Sequence, residues 1–146
     1  MKISQVSVFL ENKPGRLSEP CKLLAEAGIN IVTLSLADTQ QFGILRILVR
    51  DWEKARTILE RAGHVVKVTK VAAIELPDRP GGLYEVLKII EQCGINVEYV
   101  YALTFRRENK VIMVFRFEDL DAAIKQLKDR GVNMIGSAEI YKRLED

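Results

Sequence analysis

Histidine, cysteine and tryptophan are scarce in these 146 residues: one, two and one respectively. A histidine-based metal site or catalytic triad would rest on His64 alone. Cys21 and Cys93 lie far apart, each inside an apolar helical pattern, and read as buried free thiols. Zinc sites and paired-cysteine redox chemistry are excluded by count and spacing. One-signed charge is also missing. Twenty-two Lys and Arg face twenty Asp and Glu, a net charge of +2. No strong field therefore favours nucleic acid or an anionic membrane. No apolar run approaches the roughly 18 residues of a membrane span. The opening Met1-Lys2-Ile3-Ser4-Gln5-Val6 lacks the apolar stretch of a secretory signal, so the expected location is cytoplasmic. What is present is globular: 48% hydrophobic and 29% charged residues.

The chain is written twice. Leu10–Ile31 lies over Leu76–Val97 without a gap, at an offset of 66 residues. Nine of the 22 positions are identical: Leu10/Leu76, Pro14/Pro80, Gly15/Gly81, Leu17/Leu83, Glu19/Glu85, Lys22/Lys88, Gly28/Gly94, Ile29/Ile95 and Asn30/Asn96. Further on, Ala55/Ala123, Leu59/Leu127 and Gly63/Gly131 align at an offset of 68. Two residues were gained between these anchors, most simply in a hairpin loop. Self-similarity at this period marks a repeated structural unit.

Each copy shows the same succession of periods. Val6, Val8 and Leu10 alternate as a strand. Leu17, Cys21, Leu24 and Gly28 step as a helix stripe, which Gly28 stops. Val32, Leu34 and Leu36 alternate, as do Leu45, Ile47 and Val49 after a turn over Asp38–Gly43. A second helix runs from about Trp52 to Ala62, with Ile58, Leu59 and Ala62 inward and Trp52 as its anchor. A last strand covers Val65–Val71. His64 reads as a surface loop residue. In the second copy the strands are Val71–Leu76, Val97–Phe105, Val111–Phe117 and Met134–Tyr141. The helices carry Leu83, Leu87 and Ile90, then Leu120, Ile124 and Leu127. Tyr99 and Tyr101 group with Met113 and Phe115 as packing residues. The order βαββαβ, with right-handed crossovers, predicts an α+β fold: two ferredoxin-like sandwiches in tandem, antiparallel sheets with helices on one face. The expected domains are 1–70 and 71–146, packed side by side, with no Gly or Pro between Val65 and Leu76 to form a linker.

The turn after each first strand holds the candidate chemistry. Pro14-Gly15 and Pro80-Gly81 precede a helix, whose first amides favour an anion. Pro20 would lack the N–H that a helix starting at Arg16 needs. The first helix should therefore start near Ser18 as its N-cap, or carry a strained first turn, and its counterpart should start nearer Gly82. Asn30 and Asn96 follow the helices, and an amide side chain can read either an ammonium or a carboxylate. A zwitterion suits such a clasp; plain turn and cap residues without a ligand suit the same pattern. Asp78 brings a like charge beside a bound carboxylate where copy one has neutral Asn12, so copy one should hold the tighter site.

Asn12-Lys13-Pro14-Gly15-Arg16-Leu17 with Ala27-Gly28-Ile29-Asn30-Ile31 resembles the ACT domain signature. So does Asp78-Arg79-Pro80-Gly81-Gly82-Leu83 with Cys93-Gly94-Ile95-Asn96-Val97. The resemblance covers nearly the whole chain and implies a sensor of a small molecule, most often an amino acid. It implies ligand held at an interface between modules, no catalytic residue, no cofactor and a homodimer. Carried over by resemblance, the ligand residues are Asn12, Pro14, Gly15, Arg16, Leu17 and Asn30, and Asp78, Pro80, Gly81, Gly82, Leu83 and Asn96. The chain carries no fused enzyme or DNA-binding domain, so a metabolic enzyme in trans is the expected partner. A ligand-free interaction module is the alternative.

Other users of this fold fit less well. RNA-recognition modules stack bases on a Gly-Phe element that both copies lack. A metal chaperone would need a paired-cysteine loop. Asp38, Glu75 and Asp78 show no spacing of paired catalytic carboxylates.

Overall fold

The computed structural model describes residues 1–145, the side chains of Phe105 and Glu145 excepted. The alternation expected to reach Phe105 thus ends outside the described residues. The chain divides into two compact units, Ser4–Thr69 and Lys70–Asp146, the second also taking in Met1–Ile3. Lys2 holds Asp121 at 2.7 Å within that second unit.

The first unit contains β1 (Ile3–Glu11) from its second residue on, α1 (Ser18–Glu26), β2 (Thr33–Asp38), β3 (Phe42–Leu48), α2 (Trp52–Arg61) and the opening residues of β4 (Val65–Pro77). The strand order is β2-β3-β1-β4. β3 runs antiparallel to both neighbours: Leu45 stands opposite Val8 on one side and Leu36 on the other. The alternating residues meet as expected. Val6, Val8, Leu10, Leu45, Ile47 and Val49 form one buried layer with Leu24, Ala55 and Leu59 of the helices. Each Val, Leu or Ile among them contributes about 1.5–3 kcal/mol by leaving water. Trp52 packs against this core at the first residue of α2. There Asp51 caps the helix by accepting from the Lys54 amide at 3.4 Å. Ala62 is exposed and Ala55 takes the inward position instead. Leu34 and Leu36 face the same layer as Ile47 and Leu45, yet remain 46% and 48% exposed. Their strand lies at the sheet edge, where burial is incomplete.

The second unit adds α3 (Gly82–Gln92), β5 (Val97–Arg107), β6 (Lys110–Phe117), α4 (Leu120–Asp129), β7 (Asn133–Ile135) and α5 (Ser137–Glu145) to the rest of β4. Its strands run β5-β6-β4, with β7 on β4. Ala72, Ile74, Leu76, Phe115 and Phe117 pack under Val86, Ile90, Ala123 and Leu127. Both units are therefore α+β sandwiches of one βαββαβ plan, as the repeat predicts.

Three details depart from the sequence reading or sharpen it. The two extra residues of the second copy lie in its β5–β6 hairpin. The register moves from Ala102 opposite Met113 to Arg106 opposite Val111, which leaves two residues over on β5. Glu108 and Asn109, with φ of 53° and 62°, close the hairpin in the tight left-handed turn that such strands favour. The tyrosines do not join the Phe115 layer. Tyr101 lies opposite Val114 while Val100 lies opposite Phe115, so Tyr99 and Tyr101 stack on each other on the other face, centroids 6.5 Å apart.

The expected final strand over Met134–Tyr141 forms only at its start. Only Asn133–Ile135 pair as a strand; Ser137–Glu145 is helix. Gly136 breaks the strand and accepts from the Ile140 amide at 3.1 Å. Glu139 and Arg143, one turn apart, pair at 2.9 Å, a helical spacing no strand could use. The helix is tied down through Arg143, which donates to Glu75 of β4. Asn133 also donates to Glu75, at 3.0 Å, and Lys110 stands 3.7 Å away. The Glu75 side chain is 9% exposed.

Candidate functional site

Each first strand ends in a turn that glycine alone makes without strain. Gly15 and Gly81 have φ of +83° and +86°, the left-handed region. The turn is then braced on the neighbouring hairpin. The Asn12 amide donates to Gln41 O at 2.9 Å, and the Asp78 amide to Asn109 O at 2.7 Å. In the first unit the Asn12 side chain adds a second tie, donating to Gln40 O at 3.0 Å. Asn12 thus holds the turn in place.

The helix starts differ as Pro20 requires. α1 begins at Ser18, two positions later than α3, which begins at Gly82, the counterpart of Arg16. Pro20 becomes the third helical residue, where no intrahelical partner for its nitrogen is needed. Ser18 is not a cap: its hydroxyl donates backwards to Gly15 O at 3.0 Å. At Gly82 the chain passes so close to Pro77 that an added Cβ would lie 2.1 Å from the Pro77 carbonyl oxygen. No side chain fits there, and Gly82 is buried.

The charges beside the two turns are arranged oppositely. In the first, Lys13 pairs with Glu11 at 3.0 Å, and Arg16 stands 3.9 Å from Glu19. The Lys13 hydrogen bond, then the charges of Lys13 and Arg16, hold the Glu11 carboxyl below its ordinary range. In the second, Arg106 stands 3.4 Å from Asp78, and Arg79 pairs with Glu85 at 2.9 Å. The like charge expected from Asp78 is thus opposed by a cation of the longer hairpin.

Asn30 and Asn96 are exposed and lie at the far end of α1 and α3 from the Pro-Gly turns. Nine helical residues separate Asn30 from the turn, about 13 Å of axis. Pro14, Gly15, Arg16 and Leu17 gather at one end of their unit, and Pro80, Gly81, Gly82 and Leu83 at the matching end of theirs. Neither unit brings its asparagine to its own turn.

Sequence reasoning missed His64. It lines a groove of about 250 Å³ in the first unit, with Leu10, Glu11, Arg16, Glu19 and Val65. Its side chain is 11% exposed, not a surface loop group. Nε2 is buried without a hydrogen-bond partner among the described residues, 3.6 Å from Glu19 Oε1. A lone histidine just after a helix-stopping glycine gave no sign of this. The described residues contain no cluster of metal-binding side chains and no helix long and apolar enough to cross a membrane.

The sequence matches the family described as ACT domain pair over residues 1–143. Among solved structures, protein BT0572 from Bacteroides thetaiotaomicron is similar at 37% identity and a TM-score of 0.89, covering 97% of each chain. The ligand-free regulatory subunit of aspartate kinase from Thermus thermophilus shares the fold, with 16% identity and a TM-score of 0.63. It covers 86% of this chain and 91% of that one. The corresponding subunit from Thermus flavus gives 17% identity and 0.61, covering 86% and 90%. A search of curated proteins returns no match.

Proposed function

The chain belongs to the family of ACT domain pairs, and we propose on that premise that it is a non-catalytic regulatory protein of the cytoplasm that senses a free amino acid. One observation carries the reading. The chain builds the same glycine-dependent turn twice, at the opening of a helix, and ties each to its hairpin by the same backbone hydrogen bond. A turn kept open at the backbone, before amides with no intrahelical partner, suits a carboxylate. The proposed ligand residues are Asn12, Pro14, Gly15, Arg16, Leu17 and Asn30, and their counterparts Asp78, Pro80, Gly81, Gly82, Leu83 and Asn96. Asn12 acts by bracing the turn. Asn30 and Asn96, remote from their own turns, serve a turn of the second copy in a homodimer.

A second reading is a subunit that regulates a separate metabolic enzyme, with or without a ligand. It draws on the Thermus proteins, which are regulatory subunits of aspartate kinase and share this fold over 86% of the chain.

A thermal-shift screen over the twenty amino acids tests the sensing reading. A specific ligand at 100 times its dissociation constant adds roughly 2.7 kcal/mol to stability. A panel that leaves the melting temperature unmoved would refute it and leave the ligand-free subunit.

A further inference from the structure

The second unit covers a place on its sheet that the first unit leaves exposed. Glu75 alternates with the core residues Ile74 and Leu76, so it stands on the face turned away from α3 and α4. There Arg143 of α5 and Asn133 of β7 donate to it, and Lys110 of β6 lies 3.7 Å away. Ile112 stands opposite it in the ladder. The repeat offsets of 66 and 68 carry Glu75, Lys110, Ile112 and Asn133 onto Phe9, Phe42, Ile44 and Val65 of the first unit. The register agrees. Phe9 stands opposite Ile44 and Glu11 opposite Phe42, as Glu75 stands opposite Ile112 and Pro77 opposite Lys110. Phe9 and Val65 also border one groove. Three polar residues of the covered place are thus apolar at the matching one, where Phe9, Phe42 and Val65 are 41%, 53% and 66% exposed. The two phenyl rings alone leave about 200 Å² in water. Single exposed apolar side chains are ordinary, but a contiguous patch marks a contact surface.

We propose, resting on the reading of the chain as a subunit that regulates a separate enzyme, that this patch docks an amphipathic helix of that enzyme. A helix fits because the duplicated module holds one, α5, at the matching place on the same sheet face. Apolar residues three and four apart on the incoming helix cover Phe9 and Phe42. The α5 of a second copy does not fit. Its Arg143, which answers Glu75 in the second unit, would meet Phe9 without a carboxylate, and an unpaired cation is costly to bury. Glu11, on the same face as Phe9, is already held by Lys13 at 3.0 Å. Lys67 is exposed and lies two residues along β4 from Val65, on the same face. It is the charge left to meet a partner, so the docking helix carries a carboxylate at its edge. The patch also adjoins the first Pro-Gly turn. Phe42 follows Gln41, whose carbonyl accepts from the Asn12 amide at 2.9 Å, so the turn and the docking surface share one hairpin.

The test places a photo-crosslinking benzoylphenylalanine at Phe42 of the whole 146-residue chain in its native cells, with Leu36 and Tyr84, 48% and 66% exposed, as control positions. Mass spectrometry of the digested adducts identifies the joined protein and segment. The expected result is one enzyme, joined at Phe42 through a segment whose apolar residues recur three and four apart beside an acidic residue. A synthetic peptide of that segment should then bind the purified chain. Phe42→Glu should weaken that binding at least tenfold, as loss of an interface anchor does, without moving the melting temperature. Lys67→Glu should weaken it about threefold and Lys67→Arg should not. Adducts between copies of this chain alone, a joined segment without helical spacing, or a peptide that does not bind would overturn the docking site. Enzyme adducts confined to Leu36 or Tyr84 would overturn it while leaving the regulatory reading intact. An absence of adducts with any other protein at all three positions would overturn both.

Discussion

Arg143, in the last helix, donates a hydrogen bond to Glu75, in the strand that opens the second module. The two are 68 residues apart in sequence. The hydrogen bond to Glu75, then that to Glu139, raises the Arg143 pKa above its usual value. Both side chains are largely enclosed, so the pair is not an idle surface bridge.

Arg143→Ala should cost about 2 kcal/mol of stability. Removing one partner of an enclosed pair leaves the other charge uncompensated, although Lys110 and Asn133 remain to Glu75. Urea unfolding measures the loss. A change under about 0.5 kcal/mol would mean that α5 is held by its apolar contacts, such as buried Ile140, alone.

The glycines of the two turns should fail in different ways. Gly15→Val finds open space for its Cβ but strains a left-handed backbone, which costs roughly 1–2 kcal/mol. The chain should stay folded and lose amino-acid binding at that turn. Gly82→Ala instead drives a Cβ into the Pro77 carbonyl and should cost roughly 3 kcal/mol. Thermal melts that rank the two the other way would contradict the close approach at Gly82.

Asp78→Asn should strengthen carboxylate binding at the second turn about threefold. It removes a like charge and releases Arg106 from its 3.4 Å contact. The gain is limited because an exposed pair is worth only about 0.2–1 kcal/mol. Combining it with Arg106→Ala should cancel the gain, and Asn12→Asp should weaken the first turn. Calorimetry that finds two equal sites indifferent to all three changes would remove the asymmetry.

The Glu11 carboxyl titrates below its ordinary value near 4.5 in the folded chain. Its contribution to stability is therefore present above pH 4.5 and lost as pH falls through the lowered value. Glu11→Gln should melt below the parent at neutral pH. The two melting curves should converge in more acidic solution, once the parent's Glu11 is protonated. A gap that stays constant down to pH 2 would exclude the ion pair with Lys13 as its source.

The repeat made the fold legible, because alternation and helical steps recur at the same places with the same glycine stops. Pro20 even revealed the two-residue difference between the helix starts. What escaped lay where local signals conflict or tertiary placement decides. Met134–Tyr141 inherits an apolar alternation from its repeat, but Gly136 and the Glu139–Arg143 step turn it into helix. Leu34 and Leu36 have a core pattern on an edge strand, and no pattern reports which strand is the edge. Asn30 is close to Pro14-Gly15 in sequence yet a helix length away, because a helix carries the chain to the opposite end of the sheet. His64 is silent in sequence, since the acid that faces it stands 45 positions earlier.

Met1–Ile3 belong with the residues from Lys70 onward, and Lys2 reaches Asp121. In the order of synthesis these three residues are made well before their partners. Ser4–Thr69 holds its own core and can close while the rest is still being made, but the leading strand residues must wait. Ile3, only 1% exposed in the folded protein, is an apolar side chain without its cover until the second unit is made. A clone cut at residue 70 separates both products from a native whole: one carries three residues without their partners, the other lacks them.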